Sequence, residues 1–286
     1  MGRRLDMKAH MKADFLVQSQ ADSLTLFGRH WPAENPRAVM SLVHGFGEHS
    51  GRYEHMAKHL NAAGISVVAI DLRGHGRTDS PRGVCKDYSH LASDVDTLLA
   101  ESKTLYPNLP HYLFGHSMGG GLVLHHGLTD TSQTLAGYLV SAPLILPKDP
   151  VPAPLRLLAK FMRHIMPKGS LPNPISGDKI STLPSEQADY EADGLNHDRL
   201  GFGLAVGILG AGEEVQSRAQ EWNKPLRLWH AKKDQLTEFT ASETFANHAH
   251  NCEFTAFENV EHEMHNDASR DAVYALMLDF MDRQIS

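Results

Sequence analysis

Residues 111–121, HYLFGHSMGGG, constrain this chain more than any other stretch. Positions 111–114 read as a short buried strand, after which glycines at 115 and 119 flank Ser117 and a helix begins near Ser117 itself. In such a strand–turn–helix context, G-x-S-x-G puts a serine on a sharp, strained turn, standing clear of the strand end. Glycines two residues either side leave room for the turn and for close packing of strand on helix. Gly119, Gly120 and Gly121 keep the first helical turn slim, and the helix N-terminus offers free N–H groups to developing negative charge. The same five-residue pattern also occurs in plain structural turns. What favours a nucleophile is the apolar strand before it and the helix after it.

Around this turn the chain alternates strand and helix. Residues 15–18 and 23–31 read as an edge hairpin, and 39–43 as a fully apolar strand ending in His44-Gly45-Phe46-Gly47. A helix over 52–63 closes at Gly64, and a buried strand over 65–70 runs into the polar loop Arg73-Gly74-His75-Gly76. Leu91, Val95, Leu98, Leu99 and Leu105 form a helical stripe that stops at Pro107, and 138–140 is the next strand. After a break the pattern resumes with a strand at 226–229, a helix at 240–248, a strand at 252–257 and a helix at 268–281. That order predicts an α/β fold with a mostly parallel sheet covered by helices on both faces, and places functional residues just past strand C-terminal ends.

Three segments follow: a first core part at 1–143, an inserted cap at 144–222 and a second core part at 223–286. The cap shows no convincing strand. Its first helix, 155–166, carries Leu155, Leu158, Met162 and Ile165 on one face, with Arg156, Lys160 and Arg163 elsewhere. Such a helix reads equally as one lying at a lipid interface or one packed on the body. The glycine-rich apolar stretch 201–209 reads as the wall of a wide hydrophobic cavity ahead of simple packing.

Composition narrows the classes further. With 286 residues, 41% hydrophobic and 21% charged, the chain is an ordinary globular one, and disorder is excluded as its main state. A net charge of −7 gives no general attraction to nucleic acid. The N-terminus has basic residues but no apolar core of leader length, and no later run spans a bilayer, so a cytoplasmic protein, at most peripheral at membranes, is expected. Cys85 and Cys252 have no metal or redox spacing and are expected to be free thiols. Despite 19 histidines, no H-E-x-x-H or cysteine–histidine set occurs, and no metal is expected.

A serine hydroxyl needs a histidine to take its proton and a carboxylate to fix that histidine's tautomer, in the chain order Ser, acid, His for this kind of fold. Asp234 falls in the loop after strand 226–229, and His262 in the loop after the strand ending at 257. His265 competes as the base in the same loop, with position favouring His262. The oxyanion needs two backbone donors, Met118 N–H after the nucleophile and Phe46 N–H in the loop after His44-Gly45.

Five segments together resemble the monoacylglycerol lipases, α/β-hydrolases close to the lysophospholipases: HGFGEHSGRY at 44–53, DLRGHGRTDSPRG at 71–83, GHSMGG at 115–120, SAPLI at 141–145 and VEHEMHND at 260–267. The resemblance covers most of the chain from about Ser23 onward and is weakest in the cap. It implies the α/β-hydrolase fold, hydrolysis of a monoacylglycerol or related single-chain lipid ester, peripheral membrane contact through an amphipathic cap, and no metal or organic cofactor. It also implies that the base is the first histidine of the H-x-x-H pair, His262, while His265 helps hold glycerol with Glu48, Arg52 and cap residue Tyr190. Glu48 and Arg52, four apart, equally suit a structural ion pair. The rival expectations are a lysophospholipase, a general carboxylesterase or peptidase, and a non-catalytic binding protein on the same shell. The joint presence of Ser117, Asp234 and His262 argues against the last.

Overall fold

In the computed structural model, which describes residues 14–132 and 134–285, strand β3 (Ala38–Val43) shows how the core is built. Its side chains alternate between two apolar clusters. Val39 and Val43 belong to one with Leu91, Val95 and Leu122, whereas Ala38, Met40 and Leu42 join Met56, Leu60 and Met277 in the other. A strand apolar on both faces must be covered on both, which is the signature of a parallel α/β sheet. Residues 1–13, on which the expectation about a leader falls, lie outside the described residues.

In chain order, β1 (Asp14–Gln18) and β2 (Thr25–Trp31) form the expected antiparallel hairpin. After β3 come α1 (Glu54–Ala62), β4 (Ile65–Ile70), α2 (Tyr88–Leu105), β5 (His111–His116), α3 (Met118–Thr129) and β6 (Gly137–Ser141). Then α4 (Ala153–Ile165), β7 (Ser170–Pro172), α5 (Pro184–Ala192), β8 (Arg199–Gly201) and α6 (Phe202–Ser217) intervene before β9 (Leu226–Ala231), α7 (Phe239–His248), β10 (Cys252–Phe257) and α8 (Arg270–Ile285). Among the described residues, eight strands form one sheet in the order β1-β2-β4-β3-β5-β6-β9-β10, and every pair from β4 to β10 is parallel. The loops after β3, β5, β9 and β10 therefore gather at one edge.

The segment between β6 and β9 corrects two expectations. It does contain strands: β7 and β8 pair antiparallel from Ser170 opposite Gly201 to Pro172 opposite Arg199. Three residues each, interrupted by Pro172 and far apart in sequence, are too few to show alternation. In the stretch 201–209, Gly201 closes β8 and the rest opens helix α6, whose glycines lie against the core instead of walling a wide cavity. A Cβ on Gly203 would lie 2.2 Å from the Cys85 carbonyl oxygen, and one on Gly212 2.0 Å from that of Ile145. The small residues let α6 press on the core backbone.

Helix α4 is the opposite case. It buries no residue fully, and its half-buried positions include Arg156 and Arg163, with Arg156 ion-paired to Glu213 of α6. The large apolar side chains point outward, with Leu157 70%, Phe161 60% and Ile165 59% exposed. The helix thus packs on α6 through one face and leaves the other apolar and open to solvent.

Close approach also constrains Gly119, where an added Cβ would stand 2.3 Å from the Val43 oxygen and 2.4 Å from that of His44. Neither carbonyl has a rotamer to escape into. Gly119→Ala is expected to cost about 1–3 kcal/mol or more through overpacking, lowering the urea midpoint. Gly210→Ala on α6, with nothing within 4 Å of the new methyl, is expected to leave stability unchanged or raise it by about 0.4–1 kcal/mol.

Candidate active site

Strand β5 delivers Ser117 in the left-handed region, at φ 55° and ψ −120°. A residue with a Cβ held there costs on the order of 1–3 kcal/mol, so its surroundings must over-determine it. They do. Ser117 N–H donates to the Ser141 carbonyl at 3.0 Å, while its own carbonyl accepts from Gly121 N–H at 3.0 Å and Leu144 N–H at 2.8 Å. A Cβ on Gly115 would strike the Gly119 oxygen at 2.3 Å, so the glycine before the serine is as obligatory as the one after.

Beyond β9, a turn closed by Asp234 N–H on the Ala231 carbonyl aims the Asp234 carboxylate inward. Its Oδ1 accepts from Leu236 N–H at 2.7 Å and Thr237 N–H at 2.9 Å; its Oδ2 accepts from the Thr237 hydroxyl at 2.9 Å and His262 Nδ1 at 2.6 Å. Burial opposes ionisation of Asp234, yet the charges and hydrogen bonds of His262 and His230 hold its carboxyl well below the usual range. An ionised carboxylate only accepts, so His262 Nδ1 carries its proton and Nε2 keeps the lone pair. Burial by itself would lower the His262 pKa. The Asp234 charge and hydrogen bond, aided by Glu263 and Glu48, outweigh it and raise the value above the ordinary 6.5.

Ser117 and His262 line one pocket with Gly45, Phe46, Tyr190 and Leu236. Met118 is the first residue of α3, where no carbonyl lies four residues back within the helix to take its N–H. Phe46, in the loop after β3, stands edge-on to His75 and His197 with ring centroids 5.9 and 5.6 Å apart. Both sequence-expected donors of the oxyanion thus border the serine.

The four expected head-group residues divide. Glu48 and Tyr190 line the pocket. Arg52 lies behind it, under the Tyr190 ring at 4.8 Å, ion-paired to Glu48 and Glu263. His265 stands apart. The one-turn helix Met264–Asn266 turns its side chain away, fully buried and stacked on Tyr53 at 5.0 Å. Burial and the nearby His55 and Arg52 charges hold its pKa well below the ordinary value, so it is neutral. His116, buried between His262 and His265 with centroids 4.6 and 4.8 Å away, is neutral for the same first reason.

Two polar residues escaped the sequence reading. His230 is fully buried, its Nε2 donating to Asp234 Oδ2 at 3.0 Å and its Nδ1 accepting from the Ser242 hydroxyl at 2.8 Å. Its signal was its place four residues before the acid, at the end of β9. Glu263, next to the base, receives both guanidinium nitrogens of Arg52. Nothing local in the sequence distinguishes it from a surface glutamate. Glu48, His116 and Glu263 offer donor atoms within 4.8 Å of one another, but Arg52 already takes both carboxylates, so this set does not fit a metal ion.

Comparison with known proteins extends this picture. A family model described as serine aminopeptidase, S33, matches residues 34–269. Over 206 residues the chain is 36% identical to the monoacylglycerol lipase of Mycolicibacterium smegmatis, covering 72% of this chain and 73% of that protein. It is 31% identical over 274 residues to an abhydrolase domain-containing protein of Dictyostelium discoideum, covering 94% of this chain but only 29% of that relative's length. The crystal structure of Paleococcus ferrophilus monoacylglycerol lipase superposes with a TM-score of 0.81 at 26% identity, covering 90% of this chain and 98% of that one.

The opposed histidine shifts give a signed test. His262, raised when folded, contributes stability below pH 6.5 that is lost as pH climbs through its folded value. His116, His265 and His75, all depressed, contribute stability above 6.5 that is lost as pH falls toward their folded values. The depressed set outnumbers the raised one, so the urea midpoint is expected to drop from pH 7.5 to pH 5. In proton NMR, His262 is expected to titrate above 6.5, and Asp234→Asn to bring that midpoint below it.

Proposed function

The chain belongs to the serine aminopeptidase S33 family of α/β-hydrolases and, within it, to the monoacylglycerol lipases; from that premise we propose that it cleaves monoacylglycerol to glycerol and free fatty acid through an acyl-enzyme on Ser117. The observation that carries this reading is the convergence, on one pocket, of a serine in a left-handed elbow and a histidine held 2.6 Å from a buried carboxylate.

In the reading proposed, Ser117 Oγ attacks the ester carbonyl while His262 Nε2 takes its proton and Asp234 stabilises the imidazolium. Negative charge on the carbonyl oxygen is received by the N–H groups of Phe46 and Met118, each contributing about 3–4 kcal/mol to the transition state. The tetrahedral species collapses as His262 returns the proton to the departing glycerol oxygen. Water then repeats the sequence on the acyl-serine. Tyr190, on the pocket wall, is assigned the hydroxyl-rich end of the substrate, and no cofactor enters any step.

The proposed cap, 144–222, presents the outward apolar face of α4, with Leu157, Phe161 and Ile165 as its most exposed large side chains. No described helix is long and apolar enough to cross a membrane. An exposed apolar stripe bounded by Lys160 and Arg163 supports peripheral contact with a lipid surface, from which a single-chain substrate would enter.

Free glycerol released from a long-chain 2-monoacylglycerol tests the assignment, with a lysophospholipid and a butyrate ester run in parallel. Ser117→Ala is expected to lose roughly 10⁴-fold or more in kcat/KM, and the monoacylglycerol to be the best of the three substrates. Faster turnover of the lysophospholipid or of the butyrate ester would overturn the substrate assignment while leaving the nucleophile standing.

A further inference from the structure

Arg52 lies in the short helical turn Ser50–Tyr53, just after the loop that carries Phe46. Its side chain is nine-tenths buried and bonds carboxylates from two directions. Nη1 donates to Glu48 Oε2 at 2.9 Å and to Glu263 Oε1 at 2.5 Å, and Nη2 to Glu263 Oε2 at 2.8 Å. The second oxygen of Glu48 is equally committed, accepting from Gly45 N–H at 2.6 Å and the Tyr53 hydroxyl at 2.7 Å. Glu263 Oε2 also takes Asn266 Nδ2 at 2.7 Å.

These bonds end next to reacting groups. Gly45 precedes Phe46, and Glu263 follows His262. The loops concerned leave β3 and β10, between which β5, β6 and β9 intervene. The backbone between β6 and β9 reaches each loop separately, taking Glu263 N–H on the Ile180 carbonyl and giving His197 N–H to that of Gly47. With those strand ends four interstrand spacings of about 4.8 Å, about 19 Å, apart, pairing within the sheet does not set one loop against the other over the serine. A buried guanidinium fork does, fixing plane as well as distance. Tyr190 covers the exposed face of that fork at 4.8 Å.

We propose that Arg52 is a positioning residue, a tie between the loop presenting Phe46 N–H and the loop presenting His262, and not a contact to the alcohol half of the substrate. The inference rests on the roles proposed above for Ser117, His262 and Phe46. Its carboxylate anchors are Glu48 and Glu263, and the fork to Glu263 is the joint that must hold for the base and the oxyanion donor to meet one tetrahedral centre.

The test compares two esters, a long-chain monoacylglycerol and p-nitrophenyl butyrate, whose leaving group contains no glycerol. Rates are taken on the alkaline plateau, where His262 is neutral in every variant, and divided by active sites titrated with a fluorophosphonate. Glu263→Gln keeps the side chain's shape and leaves Arg52 balanced by Glu48; Arg52→Lys keeps the charge without the fork. Both are expected to lower kcat per site by on the order of 10- to 100-fold for both esters, with KM little changed, as for a misplacement of about 1 Å. Below the plateau, Glu263→Gln is also expected to shift the acid limb to lower pH.

A loss confined to the monoacylglycerol and carried by KM would make Arg52 a head-group ligand and overturn the proposal. Wild-type rates in Arg52→Lys would mean that bare charge suffices, and fewer titratable sites at unchanged rate per site would reduce the residue to fold support; either overturns it too. If the wild type neither reacts with the fluorophosphonate nor cleaves either ester, what fails is the Ser117 assignment on which the tie depends.

Discussion

The structure depends first on a backbone conformation that the sequence must force. Ser117 sits at φ 55°, and a residue with a Cβ stays there only because neighbours on all sides leave no alternative. Gly115 and Gly119 admit backbone carbonyls where any Cβ would collide, and the Ser117 peptide groups are tied to Ser141, Gly121 and Leu144. Those partners lie on β6, in the chain leaving it and in the first turn of α3, so the elbow, its helix and the neighbouring strand are one unit. The sheet's apolar faces supply the free energy that holds the turn in its strained form.

Electrostatics around the elbow follow from burial. Each ionisable group near Ser117 either has a partner or is neutral. Asp234 is charged because two histidines, two backbone N–H groups and a hydroxyl converge on it. His116 and His265, without such a carboxylate, stay neutral. Glu48 and Glu263 both bond the guanidinium of Arg52. Beside His262 the two carboxylates act in the same direction as Asp234, favouring the protonated imidazole.

Between β6 and β9 the chain bonds loops on both sides of Ser117. His49 Nε2 meets Asp193 at 2.8 Å, His197 N–H donates to the Gly47 carbonyl at 2.9 Å, and Gly201 N–H to that of Gly83 at 2.9 Å. Two of these reach the same loop, 44–49, that carries Phe46. On the other side Glu263 N–H donates to the Ile180 carbonyl at 2.8 Å, the Ser181 hydroxyl to that of Asn266 at 2.8 Å and Thr182 N–H to the Asp267 carboxylate at 2.9 Å, so the segment touches both the loop after β3 and the loop after β10.

Much was legible from residue order alone. Strand and helix positions in the core followed from uninterrupted apolar runs, helical stripes and glycine stops, because local steric and solvation preferences act over a few residues whatever the remaining fold does. The places of Ser117, Asp234 and His262, each just past a strand end, were readable for the same reason. The cap was not. Its strands are three residues long and pair across some thirty positions, and the direction faced by α4 depends on what lies beneath it. His230 and Glu263 were hidden for a related reason: a buried charged or polar side chain looks like a surface one until its partners are known, and those partners come from distant segments. The sequence by itself determined the elbow, the alternating core and the identity of the groups that could react. Only the tertiary structure decided which polar residues meet, that His265 turns inward and that Arg52 joins two loops, because burial and pairing are properties of segments brought together and not of any one of them.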